Sequence, residues 1–300
     1  MNDMQRYLVE EMVEAYEEGR LSRRELLRRV TLMTGSAVVA STFLAAARPP
    51  AATAAPVARP AAQMTSPTDP DLEAGMVDYP GQGATLRGYQ ARPKGDQVHA
   101  GIVLIHENRG LTPHQQDVAR RLAKEGYVAL AVDLLSREGG TAAFPDTAAA
   151  MGAQAQLPPE QMIGDLNSAV AYLQSLPYVR ASSIGAMGHC FGGGMTWRLA
   201  TVNPNLKAAV PFYGPAPPLD AVPNIQAAVL GIYAGDDPRI DAGIPDLVAA
   251  LTAAGKTFEI EVYPGVQHAF FNDTGQSYNA DAARAAWQRA LGWFNTYLNA

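Results

Sequence analysis

The sequence predicts an α/β domain, a mostly parallel central sheet with helices on both faces. Three observations predict it. Continuous apolar runs at residues 100–105 and 127–132 are the mark of strands buried on both faces. Between and after them, residues 113–125 and 159–176 carry helical spacing, with Ile163, Leu166, Val170 and Leu173 on one face of the second. Strand and helix then alternate to the C-terminus, the pattern of a parallel sheet built from crossover units.

The elements follow in order. Residues 76–79 and 84–91 read as two strands of a hairpin-like start, and 100–105 as the first deeply buried strand. Gly126 ends the helix over 113–125, since glycine accepts the left-handed conformation of a C-cap. Residues 139–158 read as a surface helix or a cap over the sheet edge. Strands follow at 183–187, 207–212, 227–233 and 257–262. The closing helix, 281–298, is expected to bury Trp287, Leu291 and Phe294. No internal repeat is visible, and 300 residues suit one large domain.

The most specific local pattern is Gly188-His189-Cys190-Phe191-Gly192-Gly193-Gly194, between the strand at 183–187 and the helix that takes in Met195 to Ala200. A strand–turn–helix of this kind forms a nucleophile elbow, which pushes one strained side chain into the open above the sheet. Flanking glycines remove the side chains that would crowd such a turn. Cys190 is the only cysteine of the chain, so no internal disulfide can form. A free cysteine is commonly a small buried hydrophobe, but at this apex it is a candidate nucleophile. Asp237 follows the strand at 227–233, and His268 follows the strand at 257–262. Both stand at carboxyl ends of strands, where open α/β sheets gather their chemistry. The order nucleophile, acid, histidine is that of the α/β-hydrolase fold. Asp236 competes with Asp237 for the acid position, as only the loop register separates them.

These motifs resemble the dienelactone hydrolases (carboxymethylenebutenolidases), from about Gly83 to the C-terminus. The resemblance rests on the Gly-x-Cys-x-Gly-Gly elbow, the Gly-x-x-Asp before Pro238, the run Pro264-Gly265-Val266-Gln267-His268-Ala269-Phe270, and Ile105-His106-Glu107-Asn108-Arg109-Gly110-Leu111. It implies hydrolysis of small esters or lactones by Cys190, His268 and Asp237 through an acyl-enzyme, with no cofactor. It further implies that Glu107 meets the resting thiol, and that the backbone N–H groups of Asn108 and Phe191 form an oxyanion hole. Arg137 matches an arginine that receives a substrate carboxylate. Without the resemblance, Glu107 and Arg137 read as a salt-bridged carboxylate and a surface cation. The chain departs from the family where serine would follow the histidine, and where a second carboxylate-binding arginine would stand three residues on. It has Ala269 and Asn272 there, which leaves dienelactone itself open as substrate. A general carboxylesterase or thioesterase is the alternative within enzymes, and a non-catalytic binding protein the alternative outside them.

Composition narrows the partners. A net charge of −6 and a pI near 5.4 argue against nucleic acid, which needs basic patches. His106-Glu107 begins like a zinc-protease motif, but Gly110 stands where its second histidine would be. His99, His114 and His189 lack ligand spacing, so no metal is expected. The glycines at 192–194 are not followed by Gly-Lys-Ser/Thr, which excludes a P-loop.

At the amino terminus, Arg23-Arg24-Glu25-Leu26-Leu27 precedes an uncharged stretch over 30–47 and then a Pro/Ala-rich segment. The basic flank, modest apolar run and Ala45-Ala46-Ala47 predict a twin-arginine signal peptide over residues 1–47, cleaved before Arg48. A Pro/Ala-rich linker over 48–75 and the hydrolase-like domain over 76–300 complete the expected organisation. Residues 1–19, rich in glutamate, read as a helical acidic leader. Six Arg and seven Asp or Glu fall within 1–47, so the remainder stays acidic and is expected in the periplasm or outside the cell, with no stable membrane association. An uncleaved N-terminal anchor is the alternative.

Overall fold

Three helices precede the sheet: α1 (Asp3–Glu17), α2 (Arg23–Thr34) and α3 (Ala37–Ala46). The computed structural model describes residues 1, 3–17, 21–47 and 64–299. The acidic leader is α1, as its composition predicts. The uncharged stretch over 30–47 is divided between two helices. Gly35, at φ 68°, caps α2, and the Ser36 hydroxyl accepts from Val39 N–H to start α3. Among the described residues, no helix is long and apolar enough to cross a membrane. Most of the expected linker lies outside the described residues.

The sheet starts four residues before the predicted boundary. β1 (Leu72–Gly81) and β2 (Ala84–Pro93) pair antiparallel over their whole length, so the strand runs as far as its partner does. The chain continues through β3 (His99–Ile105), α4 (Pro113–Lys124), β4 (Val128–Asp133), α5 (Thr147–Gln154), α6 (Pro159–Ser175), β5 (Val179–His189) and α7 (Phe191–Val202). It closes through β6 (Leu206–Phe212), β7 (Ala228–Asp236), α8 (Pro238–Asp241), α9 (Ile244–Ala253), β8 (Phe258–Gln267) and α10 (Ala280–Leu298).

The eight strands form one sheet in the order β1-β2-β4-β3-β5-β6-β7-β8, parallel from β4 through β8 and antiparallel in the β1–β2 and β2–β4 pairs. Every residue of β4 is buried, as its unbroken apolar run requires. The order reverses around β3, and this places the carboxyl ends of β3, β5, β7 and β8 along one edge. In such sheets that edge holds the ligand crevice. Two of the residues expected to be buried in α10, Trp287 and Leu291, are only partly so. Ala282, Ala283, Ala286 and Ala290 form a small-residue seam that brings the helix close, and Trp293 is buried with its indole N–H on the Ala228 carbonyl at 3.1 Å.

The leader helices pack onto this body. Leu8, Val9 and Met12 of α1 and Leu26, Val30 and Met33 of α2 are each 2% exposed or less. Full burial of such a side chain contributes about 1.5–3 kcal/mol, shared here between packing of α1 on α2 and packing of the pair on the domain. Arg28 of α2 also donates to Asp146 at 2.7 Å, the N-cap of α5, which ties the leader to the expected cap region.

Candidate active site

β5 ends at His189 and α7 begins at Phe191, leaving Cys190 alone at the turn with φ 57° and ψ −119°. A non-glycine residue in that region costs about 1–3 kcal/mol, which the surrounding fold must over-determine. The glycines show how. A Cβ on Gly188 would lie 2.2 Å from the Gly192 carbonyl oxygen, and one on Gly192 would lie 2.2 Å from that of Ile105. Only glycine lets α7 approach β3 and β5 so closely. The amide of Cys190 is bonded to the Phe212 carbonyl at 3.0 Å, which fixes the turn to β6.

Asp237 follows β7 directly and is fully buried, whereas Asp236 is exposed at the end of that strand. His268 follows β8, and its Nδ1 lies 2.5 Å from Asp237 Oδ2. Burial alone would lower the histidine, but the bond to Asp237 and its charge outweigh that and raise its pKa. Burial likewise works to raise Asp237, yet the bond and charge of His268, with Arg239 beyond, hold its carboxyl below the usual range. The other ring nitrogen, Nε2, is buried without a hydrogen-bond partner. Cys190 Sγ, a His268 ring nitrogen and a Glu11 carboxylate oxygen all lie within 4.8 Å of one another. The structure thus brings Cys190, His268 and Asp237 together, and leaves Asp236 out.

Two other expectations are corrected. Glu107 does not meet the thiol: its Oε2 accepts from Asn272 Nδ2 at 2.9 Å. The contact is made instead by Glu11 of α1, whose Oε1 and Oε2 both lie 3.3 Å from Cys190 Sγ. Asn108 Nδ2 donates to the same Glu11 at 2.9 Å, and Tyr7 Oη lies 3.6 Å from the sulfur. Burial pushes the thiol well up, and the charges of Glu11 and Glu107 push it further. Arg137 does not face this group. It forks onto Asp165 at 2.7 and 3.0 Å and donates to the Gln82 carbonyl, because the carboxylate of Asp165, on the buried face of α6, needs a counter-charge. Asn272, where the family's second arginine would stand, is spent on Glu107 and on accepting from Thr274.

Sequence reasoning missed four residues here. Glu11 and Tyr7 arrive from α1, and nothing local announces where a leader helix will dock. Tyr213, at φ 35° after β6, sets its ring 4.9 Å from that of His268. Arg239, two residues after Asp237, places its guanidinium carbon 4.7 Å over the Tyr7 ring. Its position beside the acid was the one available signal. The candidate histidines are accounted for differently: His106 is bonded to the Glu107 carbonyl and the Leu134 amide, and His189 is stacked on Phe271. Among the described residues, the only group of three such side chains close enough to hold a metal ion is Glu11, Cys190 and His268, the same atoms just described.

A parallel sheet with an elbow after its central strand, and a histidine–aspartate pair after two later strands, defines an α/β-hydrolase. The comparisons narrow the class. The sequence profile of the Dienelactone hydrolase family matches residues 86–298. A protein of Escherichia coli K12 provisionally named carboxymethylenebutenolidase is 37% identical over 257 residues, 81% of this chain and 94% of that one. One of the same provisional name from Saccharolobus solfataricus is 36% identical over 249 residues, 71% of this chain and 95% of its own. The crystal structure of a provisionally assigned dienelactone hydrolase from Klebsiella pneumoniae superposes with a TM-score of 0.70 at 34% identity, covering 75% of this chain and 99% of its own. The chain belongs to the dienelactone hydrolase family, and is a carboxylic ester hydrolase.

Proposed function

We propose that this hydrolase cleaves small carboxylic esters or lactones with Cys190 as nucleophile, His268 as general base and acid, and Asp237 as the group that orients the histidine. The observation that carries the reading is His268, with Nδ1 held by Asp237, Nε2 buried without a partner, and a ring nitrogen within 4.8 Å of the sulfur on an elbow of positive φ. The Cys190 proton passes to Nε2 as the sulfur attacks the ester carbonyl and a C–S bond forms. The oxyanion is received by backbone N–H groups of Phe191 and Asn108. A Phe191 amide that favours the thiolate supports the first of these. Each such donor is worth about 3 kcal/mol in the transition state. Collapse expels the alkoxide, which takes its proton from His268, and water deprotonated by the same nitrogen releases the acid from the thioester. The residues named need no cofactor for these steps.

Hydrolysis of short aryl esters and unsaturated lactones by the purified chain, together with covalent labelling of Cys190 by an acyl chloromethyl ketone, tests the reading. Turnover without any dependence on Cys190 would sink it. Preference for neutral esters over lactones would favour a general carboxylesterase within the same chemistry.

We further propose that residues 1–47 are a twin-arginine signal and that the domain acts outside the cytoplasm. The exposure of both Arg23 and Arg24 in the first turn of α2 supports this, since a receptor-read address must be reachable.

A further inference from the structure

The docked leader helix points to how the site reads its substrate. Arg239, in the first turn of α8, has a side chain only 16% exposed, yet it spends little of its capacity. Its Nε donates to Glu14 at 3.3 Å, while Nη1 and Nη2 are buried without a hydrogen-bond partner among the described residues. A guanidinium offers five N–H donors in a planar fork, so most of this one is uncommitted. It is also close to the chemistry: the Tyr7 ring lies under the guanidinium and its hydroxyl reaches the Cys190 sulfur. Burial works against the charge of Arg239, but the carboxylates of Glu11, Asp237 and Glu14 hold it firmly protonated, and its field is felt at His268.

Such a fork beside a nucleophile suits one ligand class above others. A carboxylate accepts two parallel N–H bonds from a guanidinium, at short distance and with fixed orientation. The groups now at this place are carboxylates. Glu11 lies on the sulfur and on Asn108, and Glu14, three residues along the same face of α1, lies on Arg239. An ester carbonyl at the sulfur and an anionic group on Arg239 would fall at the same two points. A cavity of about 250 Å³ beside Arg239 is walled on one side by Pro215, Ala216, Ile240 and Gly243 and on the other by Arg6, Tyr7 and Glu10 of α1, so displacing α1 would widen it into room for the rest of such a molecule. The family match begins at residue 86, so Cys190 and Arg239 lie within it and α1 lies outside it.

We propose that Arg239 is the specificity-determining residue that receives a carboxylate on the substrate, and that α1, through Glu11 and Glu14, occupies this subsite as a tethered substitute. The proposal rests on the ester-hydrolase reading given above. In the full chain the occupied site is latent, and it opens when α1 is displaced.

The sole cysteine makes the test direct, because alkylation of Cys190 reports both access and charge preference without requiring turnover. The full chain is compared with an undocked form, Leu8→Asp with Met12→Asp, each with and without Arg239→Gln. Rates are measured with iodoacetate, which is anionic, and iodoacetamide, which is neutral. Hydrolysis of 4-acetoxybenzoate and phenyl acetate is measured alongside. Undocking should raise both alkylation rates at least about tenfold, the scale of a contact worth about 1.4 kcal/mol. Within the undocked form, Arg239→Gln should lower the iodoacetate-to-iodoacetamide ratio about tenfold, and Arg239→Lys should restore part of it, which a purely structural arginine would not do. Glu11→Gln with Glu14→Gln provides the same test by charge alone, should the aspartates unfold the chain. An unchanged ratio on Arg239→Gln would overturn the carboxylate assignment, and unchanged rates on undocking would overturn the role of α1. A charge-selective thiol that hydrolyses neither ester would leave Arg239 standing and instead reject the hydrolytic reading of Cys190.

Discussion

The sulfur of Cys190 lies 3.3 Å from each carboxylate oxygen of Glu11, a residue 179 positions earlier in the chain. A thiol facing a carboxylate can donate its proton but cannot easily lose it, because thiolate and carboxylate would then repel each other at contact distance. Thiolates are the species that oxidise, so the arrangement shields the lone cysteine while α1 is docked. Glu107 contributes charge to the same end from its place on Asn272, without touching the sulfur.

The sign of the resulting pH dependence is fixed. Burial raises the thiol most, then Glu11, then Glu107. A raised thiol pKa means a smaller thiolate fraction at any pH below it, so the full chain should react slowly with iodoacetamide at pH 8 and faster only as the medium becomes alkaline. Glu11→Gln removes one of the two charges and should move the rate profile toward lower pH, with severalfold faster alkylation at pH 8. A profile that stays in place would show that burial alone sets the thiol.

The histidine–aspartate pair gives a second expectation. Cys190→Ala should abolish ester turnover and leave the melting temperature close to that of the parent, because the elbow's backbone is held by glycine packing and not by the sulfur. Asp237→Asn should lower kcat by about a thousandfold or more, since the amide favours the wrong histidine tautomer. Asp236→Asn, at an exposed position, should change kcat little. Reversal of the two aspartate results would move the acid by one residue.

What could be read in advance followed the range of the interactions. The elbow, the Gly126 cap and the buried strands are set by neighbours in sequence, so the pattern of Gly188 to Gly194 is enough to place Cys190 at a strand–helix turn. Asp237 and His268 were legible because an open α/β sheet always brings the ends of its strands to one edge. Contacts that depend on which surfaces dock were not legible. Glu11 reaches the sulfur only because Leu8, Val9 and Met12 find an apolar surface on the domain, and no local spacing encodes that. Trp293 is buried where the spacing favours Trp287, because a stripe of alanines, not the largest side chains, decides how close α10 can lie.

Arg137 provides the third prediction. Its fork is committed to Asp165, which is 5% exposed, so its loss leaves a buried carboxylate without a partner. Arg137→Ala should therefore destabilise the fold by about 1.5–3 kcal/mol, the range for hydrogen bonds to charged groups. The ratio of kcat/KM for a carboxylated ester over a neutral one should stay as in the parent. Thermal melts and the two substrates together check it. A collapse of that ratio with an unaltered melting temperature would return Arg137 to the substrate pocket.

The last prediction concerns the leader. Arg23 and Arg24 are exposed in the first turn of α2, while Leu26, three and two residues on, is fully buried against the domain. The two arginines are therefore reachable in the docked state, as are Leu32 and Val38 of the uncharged stretch, while Leu26, Val30 and Met33 are not. If residues 1–47 direct export, changing Arg23 and Arg24 together to Lys should hold the chain in the cytoplasm, because a receptor that reads a twin arginine uses the planar fork that lysine lacks. The exported form of the parent should begin near Arg48 by mass spectrometry. It would then have lost α1, and with it the carboxylate on Cys190, so its thiol should be alkylated by iodoacetate faster than that of the full-length chain. Export that survives the double lysine change would reject the twin-arginine route. A full-length chain recovered intact with the membrane fraction would instead support a retained amino-terminal anchor.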